Sequence, residues 1–402
     1  MSRTEIKMNR SANGSGSIRK ITTTGKNGKE YTYWQARCTV GYDSGTGRQK
    51  QRSITGKTQK EVAQKLRQLT AELDAGTYRE PCKLTVAQWL ETWQKDYLFD
   101  VKPSTAYLYG TNIKLYILPH IGAIKLESLN TPAVQAFYND LLHPKNPDTK
   151  ALSPKTIKNV HGVLHKALKQ AVLCGHIRSN PADGCVLPRI VKKEITPLDE
   201  DHISLFLKAI KGHPHEYLYK ITLFTGLREG EVLGLTWDCV DFANGTLTIK
   251  QQLRREQKKG GQYYFSPTKN GKTRLISLAP TVLELFHLQK AAQAEKERKA
   301  GCLWENKNLV FSNELGGFLS YRTVYDCYKR VVAGIGIPDA RFHDLRHSYA
   351  YAAIKSGDDI KTVQENLGHA TAAFTLDVYG HVTKQMKQAS ADRMEQFIQS
   401  VS

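Results

Sequence analysis

The sequence predicts a multidomain, mostly α-helical protein with small β elements, and three observations predict it. At 402 residues the chain is longer than one core of ordinary size accommodates, so two or three domains are expected. Strand-like runs are confined to a stretch near the N-terminus and another after residue 240, whereas helical spacing of apolar residues fills most of the remainder. Two Pro-containing stretches, 76–83 and 187–196, interrupt these patterns as linkers. Domains over residues 1–76, 83–186 and 197–402 follow.

Residues 1 to about 14 are polar and rich in Gly, Ser and Asn, the composition of a mobile arm. Ser17 to Ile21, Tyr31 to Val40 and Arg48 to Ile54 read as short strands, parted by the turn signals Gly25-Lys26-Asn27-Gly28 and Asp43-Ser44-Gly45-Thr46-Gly47. Thr58 to Leu73 follows as an amphipathic helix, with Val62, Leu66, Leu69 and Leu73 at helical spacing. The first domain is therefore expected to be a three-stranded sheet plus a helix. Beyond the linker, Leu84 to Leu98, Ser104 to Tyr116, Thr131 to Leu142 and Ser153 to Cys174 carry helical periodicity, and Pro103, Pro132 and Pro154 stand where helices begin. An all-helical second domain is expected.

In the third domain, Asp199 to Ile210 and Glu216 to Phe224 read as helices. Val240 to Phe242, Thr246 to Ile249, Gln262 to Phe265 and Arg274 to Leu278 read as β segments, with a hairpin signal at Lys269-Asn270-Gly271-Lys272 between the last two. Helices are expected again over Thr281 to Ala300, Tyr321 to Ala333, His343 to Ser356, Ile360 to Leu367, and from Lys384 to the end.

A formal net charge of +20, from 58 Lys and Arg against 38 Asp and Glu, points to a polyanionic partner. Within the first 80 residues, 16 Lys and Arg face 7 Asp and Glu. Arg19, Lys20, Arg37, Arg48, Lys50 and Arg52 fall on the expected strands. A sheet face can enter a DNA major groove while its cations hold phosphates, so these are the expected DNA contacts, against a reading as a solvated basic sheet. No stretch approaches the roughly 18 to 20 apolar residues of a membrane span, and Ser2 to Lys7 lacks the apolar core of a secretory signal. A cytoplasmic protein without a membrane partner is expected. The 7 cysteines are scattered without a C-x-x-C spacing, which argues against a zinc site or a disulfide framework.

Chemistry is concentrated around Arg341-Phe342-His343-Asp344-Leu345-Arg346-His347. His343, Arg346 and His347 share one face of a helix and would present cationic donors towards a single point. Such a point, with no acidic cluster to hold a metal, suits a phosphate. Cleaving a phosphodiester without a metal requires donors for the non-bridging oxygens, a nucleophile, and an acid for the leaving alkoxide. Arg228 and Arg346 suit the first task, because a guanidinium fork matches two phosphate oxygens. His343 and His369 can share it or move protons near neutrality. Tyr379, with a free pKa of about 10, becomes a nucleophile only in such cationic surroundings. Taken singly, each residue also has an ordinary reading: Arg228 as a partner for Glu231, His343 and Tyr379 as packing, Lys269 as a solvated turn residue. The ordered series of Arg, Lys, His-x-x-Arg, Gly-His and Tyr outweighs those readings.

That series resembles the tyrosine recombinases, or phage integrase family. The matching segments are Thr225 to Leu235 for a first arginine box, Pro267-Thr268-Lys269 for a lysine turn, His343 to His347 for a second box, Leu367-Gly368-His369 for a third, and Tyr379. The N-terminal sheet-plus-helix domain resembles the arm-binding domains of integrases from Tn916/Tn1549-type conjugative transposons. The resemblance implies an arm-type DNA-binding domain, a helical core-binding domain that clamps DNA, and an α+β catalytic domain with a tail helix. It also implies attack by Tyr379 to give a 3′-phosphotyrosyl link, with Arg228, Arg346, His343 and His369 holding the phosphate. Lys269 would protonate the leaving 5′-oxygen, with Lys272 as a rival; Glu231 would orient Arg228, and His347 would support the site. Neither metal, ATP nor another cofactor is implied. The implied partners are double-stranded DNA at core and arm sites, a homotetramer passing through a Holliday junction, a small excisionase and a host DNA-bending protein. A type IB topoisomerase-like enzyme and a DNA-binding regulator with a dead site are the competing readings.

Overall fold

In a computed structural model the chain forms two compact units, residues 1–190 and 191–402. The structure describes residues 17–24, 30–42, 45–76, 78, 82–191, 197–257, 260–269, 271–368 and 382–401, excepting the side chains of 24 and 382–390.

The first unit opens with strands β1 (Ser17–Thr24), β2 (Glu30–Tyr42) and β3 (Gln49–Gly56), antiparallel in that order. Helix α1 (Gln59–Asp74) is started by Thr58, whose side chain accepts the Glu61 N–H at 3.2 Å. Ala36, Cys38 and Ile54 of the sheet pack with Val62, Leu66 and Leu69 of α1 as a small separate core. The register sets Ile18, Ala36 and Ile54 opposite one another on the covered face. Side chains alternate along a strand, so the expected alignment of six cations needs correcting. Lys20 and Arg52, opposite Trp34 and Cys38, share the parity of the covered face, as does Lys50 two residues before Arg52. Arg52 reaches over the Tyr78 ring, 5.9 Å from its centroid. Arg48 precedes β3. Only Arg19 and Arg37, of the six, stand on the open face.

The helical part of this unit comprises α2 (Val86–Asp96), α3 (Pro103–Asn112), α4 (Leu118–Ile121), α5 (Thr131–Leu142) and α6 (Pro154–Leu173). Its core includes Trp89, Trp93, Ile117, Tyr138 and Leu164, and the Trp89 indole N–H donates to the Ala167 carbonyl at 2.9 Å. The single helix expected over Ser104 to Tyr116 is interrupted by a π turn, Ile113–Ile117. Pro119 follows it; in a regular α-helix its ring would strike the Leu115 carbonyl, and the wider turn relieves that clash.

The second unit contains α7 (Glu200–Ala209), α8 (Glu216–Thr225), α9 (Glu229–Leu233), β4 (Val240–Asp241), β5 (Thr246–Ile249), β6 (Gln251–Arg255), β7 (Tyr263–Pro267) and β8 (Arg274–Ser277). Then come α10 (Pro280–Ala300), α11 (Tyr321–Gly334), α12 (Phe342–Lys355), α13 (Ile360–Leu367) and α14 (Val382–Val401). The expected hairpin at Lys269 to Lys272 is not one, because β7 pairs with β6 and β8 pairs with β5. Gln251 opposes Pro267 and Ile249 opposes Arg274, so the chain between Pro267 and Arg274 leaves the ladder where the other strand has Lys250 alone. The antiparallel partners are β6 and β7, and beyond their ends the Glu256 N–H bonds the Gln262 carbonyl at 3.0 Å. β6 was not expected, since Gln251-Gln252-Leu253-Arg254-Arg255 buries only Leu253. Phe342 anchors the start of α12 against Tyr219 and Tyr328, with ring centroids 6.1 and 5.6 Å apart. Among the described residues, no helix is long and apolar enough to cross a membrane.

Candidate active site

Helix α8 ends at Gly226, whose φ of 65° is left-handed. A Cβ there would lie 2.5 Å from the Tyr349 ring and 2.7 Å from Leu367, so only glycine lets this turn press against α12 and α13. Two residues on, Arg228 caps α9, and Glu231 in that helix's first turn folds back on it. The Arg228 backbone N–H donates to Glu231 Oε2 at 3.0 Å and its Nη1 donates to Oε1 at 2.7 Å.

The last carbonyls of a helix lack partners within it, and those ending α13 are met by three arginines from three other elements. Arg274 Nε donates to the Asn366 carbonyl at 2.8 Å, Arg346 Nη2 to Leu367 at 2.6 Å, and Arg228 Nη2 to Gly368 at 3.1 Å. Arg346 Nη1 also donates to the Gly226 carbonyl at 2.8 Å. The two arginines of the sequence motif therefore converge on one turn, directly before His369.

Glu231 is 1% exposed, and its carboxylate takes a second guanidinium: Arg274 Nη1 donates to Oε1 at 3.1 Å and Nη2 to Oε2 at 2.6 Å. Burial alone would push this carboxyl up. Hydrogen bonds and charge from Arg274, with the charge of Arg228, outweigh burial and hold it down at about 2. Glu229, two residues earlier, shows what happens without such partners. Its Oε1 is buried with no hydrogen-bond partner, and burial pushes its carboxyl up to about 7.

The expected face of α12 is not a set of three charged donors, because packing encloses most of it. Arg346 and His347 are buried, and of the three only His343 is exposed. The physical reason is the enclosure of α12 between α8, α11 and α13, where the Arg346 guanidinium serves backbone carbonyls. The His343 and His347 rings meet edge to face at 4.9 Å. Although part of His343 reaches the surface, the packed surroundings of its ring, then the neighbouring His347, Arg346 and Arg228, hold its imidazole below the ordinary range, and burial brings His347 down to about 4. Both rings are neutral near pH 7, so His343 offers one N–H donor and one acceptor rather than a charge.

Arg228, Thr268, Lys269, Lys272, Arg274 and Gly368 line a cleft of about 580 Å³. The segment that carries both lysines is tied by the Thr268 hydroxyl, which donates to the Lys272 carbonyl at 2.8 Å. Among the described residues, no group of three or more His, Cys, Asp and Glu side chains is placed to hold a metal ion. His369 and Tyr379 lie outside the described residues. Arg274 escaped the reading of the sequence. The sequence signals it only weakly, as an arginine that opens the strand Arg274–Ser277 beside the lysine turn.

Models of the phage integrase family match residues 197–386, and those of a phage integrase N-terminal SAM-like domain match residues 85–142. The chain belongs to the phage integrase family. It is a tyrosine recombinase, 28% identical over 333 residues to a "tyrosine recombinase XerC-like" protein of Caldanaerobacter subterraneus subsp. tengcongensis, which covers 77% of this chain and 83% of the relative. Its fold is that of the Tn1549 transposon integrase solved with a circular intermediate DNA, at TM-score 0.65 and 22% identity over 77% of this chain and 99% of that one. The lambda integrase tetramer solved on a Holliday junction also shares the fold, at TM-score 0.54 and 20% identity over 87% and 96%. This recombinase thus carries its first arginine box, lysine pair and α13 terminus around one cleft.

Proposed function

We propose that this tyrosine recombinase integrates and excises a mobile element by cutting and rejoining double-stranded DNA through Tyr379. The observation that carries the reading is the convergence of Arg228, Lys269, Lys272 and Gly368 on one cleft, with Arg346 bound to the same α13 terminus. The Tyr379 hydroxyl gives up its proton to a neutral histidine of the site or to water as its oxygen bonds the scissile phosphorus and the bond to the 5′-oxygen breaks, and Lys269 supplies the proton that leaves a 5′-hydroxyl. Arg228, Arg346, His343 and His369 hold the non-bridging oxygens as charge builds on them. A 5′-hydroxyl from the partner duplex then attacks the phosphotyrosine, and the tyrosine regains its proton. Each covalent link conserves the energy of the bond it replaces, so no nucleotide cofactor is consumed.

Four protomers act together on two duplexes through a Holliday junction, in the cytoplasm, on core and arm sites. Support for the assembly comes from α14, where Met394, Phe397, Ile398 and Val401 are exposed at helical spacing and form a stripe for a neighbouring protomer. A small excisionase and a host DNA-bending protein set the direction of exchange. The N-terminal sheet and α1, with Arg19 and Arg37 on the open face of the sheet, take the arm sites, and the helical part of the same unit clamps the core site.

Strand transfer between two differently labelled duplexes, each carrying the joined ends of the encoding element, tests this reading. Duplexes with exchanged flanks are expected. Relaxation of supercoiled DNA without exchange would assign a topoisomerase, and binding without any cleavage would assign a regulator.

A further inference from the structure

Arg274 commits all three of its guanidinium nitrogens to protein acceptors: Nη1 and Nη2 to the two oxygens of Glu231, and Nε to the Asn366 carbonyl. Like Arg228, which bonds both Glu231 and the Gly368 carbonyl, it ties α9 to the end of α13, but it does so with both terminal nitrogens on the Glu231 carboxylate. It also defines the space at that end. A Cβ on Gly368, whose φ is 62°, would come within 3.2 Å of Arg274 Cδ and Nη1. Glu231 in turn holds both the backbone N–H and the Nη1 of Arg228. A planar fork that spans two carboxylate oxygens fixes the carboxylate's orientation as well as its charge, which a single ammonium does not.

We propose that Arg274 is a positioning residue of the cleavage step: by locking Glu231 and the α13 terminus together, it aims Arg228 at the phosphate without itself binding DNA. The proposal rests on the recombinase reading above. Misplacement of a reacting group by about 1 Å costs on the order of 100-fold in rate, so the effect belongs in the chemical step and not in affinity.

The test uses the full chain, wild type and the variants Arg274→Gln, Arg274→Lys, Glu231→Gln and the double variant Arg274→Gln with Glu231→Gln. Single-turnover cleavage of a nicked duplex bearing the joined element ends is measured alongside the Kd for the same DNA. Arg274→Gln is expected to cleave about 10- to 100-fold more slowly than wild type with Kd changed less than about threefold, and Arg274→Lys to recover part of the rate. In the Glu231→Gln background the Arg274→Gln change is expected to add little, because the two residues act as one unit. If Arg274→Gln does not fold, Arg274→Lys decides: wild-type cleavage by the lysine variant overturns the proposal. So does a loss of affinity matching the loss of rate, which would make Arg274 a DNA ligand, and so do fully additive effects with Glu231→Gln. A wild-type chain that forms no adduct with this duplex sinks the recombinase reading, and this inference with it.

Discussion

Two helices of the second unit begin with the same local device and end in different chemistry. At α9, Arg228 is bonded through its backbone N–H and its guanidinium by Glu231 three residues on; at α12, Arg341 is bonded in the same two ways by Asp344, with its N–H 2.7 Å from Oδ2 and Nη2 2.7 Å from Oδ1. Both carboxylates are buried, yet the arginines differ. The Arg341 side chain is 58% exposed and that of Arg228 is 23% exposed. Glu231 also receives Arg274, and Arg228 continues to the Gly368 carbonyl, whereas no further arginine is seen bonded to Asp344 among the described contacts. A capping pair becomes part of a site only when burial and a second guanidinium oblige it to hold a fixed geometry.

The largest expected consequence is at Glu231. Glu231→Gln leaves Arg228 and Arg274 enclosed without their counter-charge, and urea melts of the full chain should show a loss of about 3–5 kcal/mol. A cost near that of an ordinary exposed pair would break the contrast between the two helices.

Glu229, on the same short helix but without an arginine, sharpens the contrast through pH. Its carboxyl is raised from 4.5 to about 7 by burial. Between those values the folded chain keeps a proton that the unfolded chain has lost, so stability falls as pH rises through the window. Replacing it by glutamine, Glu229→Gln, should remove roughly 2–3 kcal/mol of that slope between pH 4.5 and 7. Glu231, held at about 2, has the opposite sign: its contribution is present above pH 4.5 and is lost as pH falls towards 2. Melts of wild type and variant in parallel across pH 4.5 to 8 check this, and parallel curves would contradict it. The smallest effect is expected at Asp344→Asn, about 1 kcal/mol, because Arg341 can turn back to water when its partner is lost.

The periodic elements were legible because their causes are local. Val62, Leu66 and Leu69 are spaced for one face of α1, and Val86, Trp89, Leu90 and Trp93 for one face of α2, and they are buried there. Helix α12 was legible in its extent but not in its surroundings. Nothing in His343 to His347 says that Arg346 will meet the carbonyls of Gly226 and Leu367, 120 and 21 residues away. The Asn270-Gly271 signal marked a change of direction but not its kind, since strand register is set by partners across the sheet rather than by the turn residues. Of the six sheet cations, Arg19 and Lys20 are adjacent, so alternation alone already places them on opposite faces. Arg274 was missed because its importance lies in pairing with a carboxylate 43 residues earlier.

The central claim is that Tyr379 is the nucleophile of a site assembled around Arg228 and the end of α13, and covalent trapping tests it most directly. Wild-type chain and Tyr379→Phe are incubated with a nicked duplex of the joined element ends, denatured, and resolved for protein carrying labelled DNA. Wild type should yield a 3′-linked adduct whose peptide maps to Tyr379, and the phenylalanine variant should bind the duplex but yield none. An adduct that survives Tyr379→Phe, or that maps to another residue, would contradict the account.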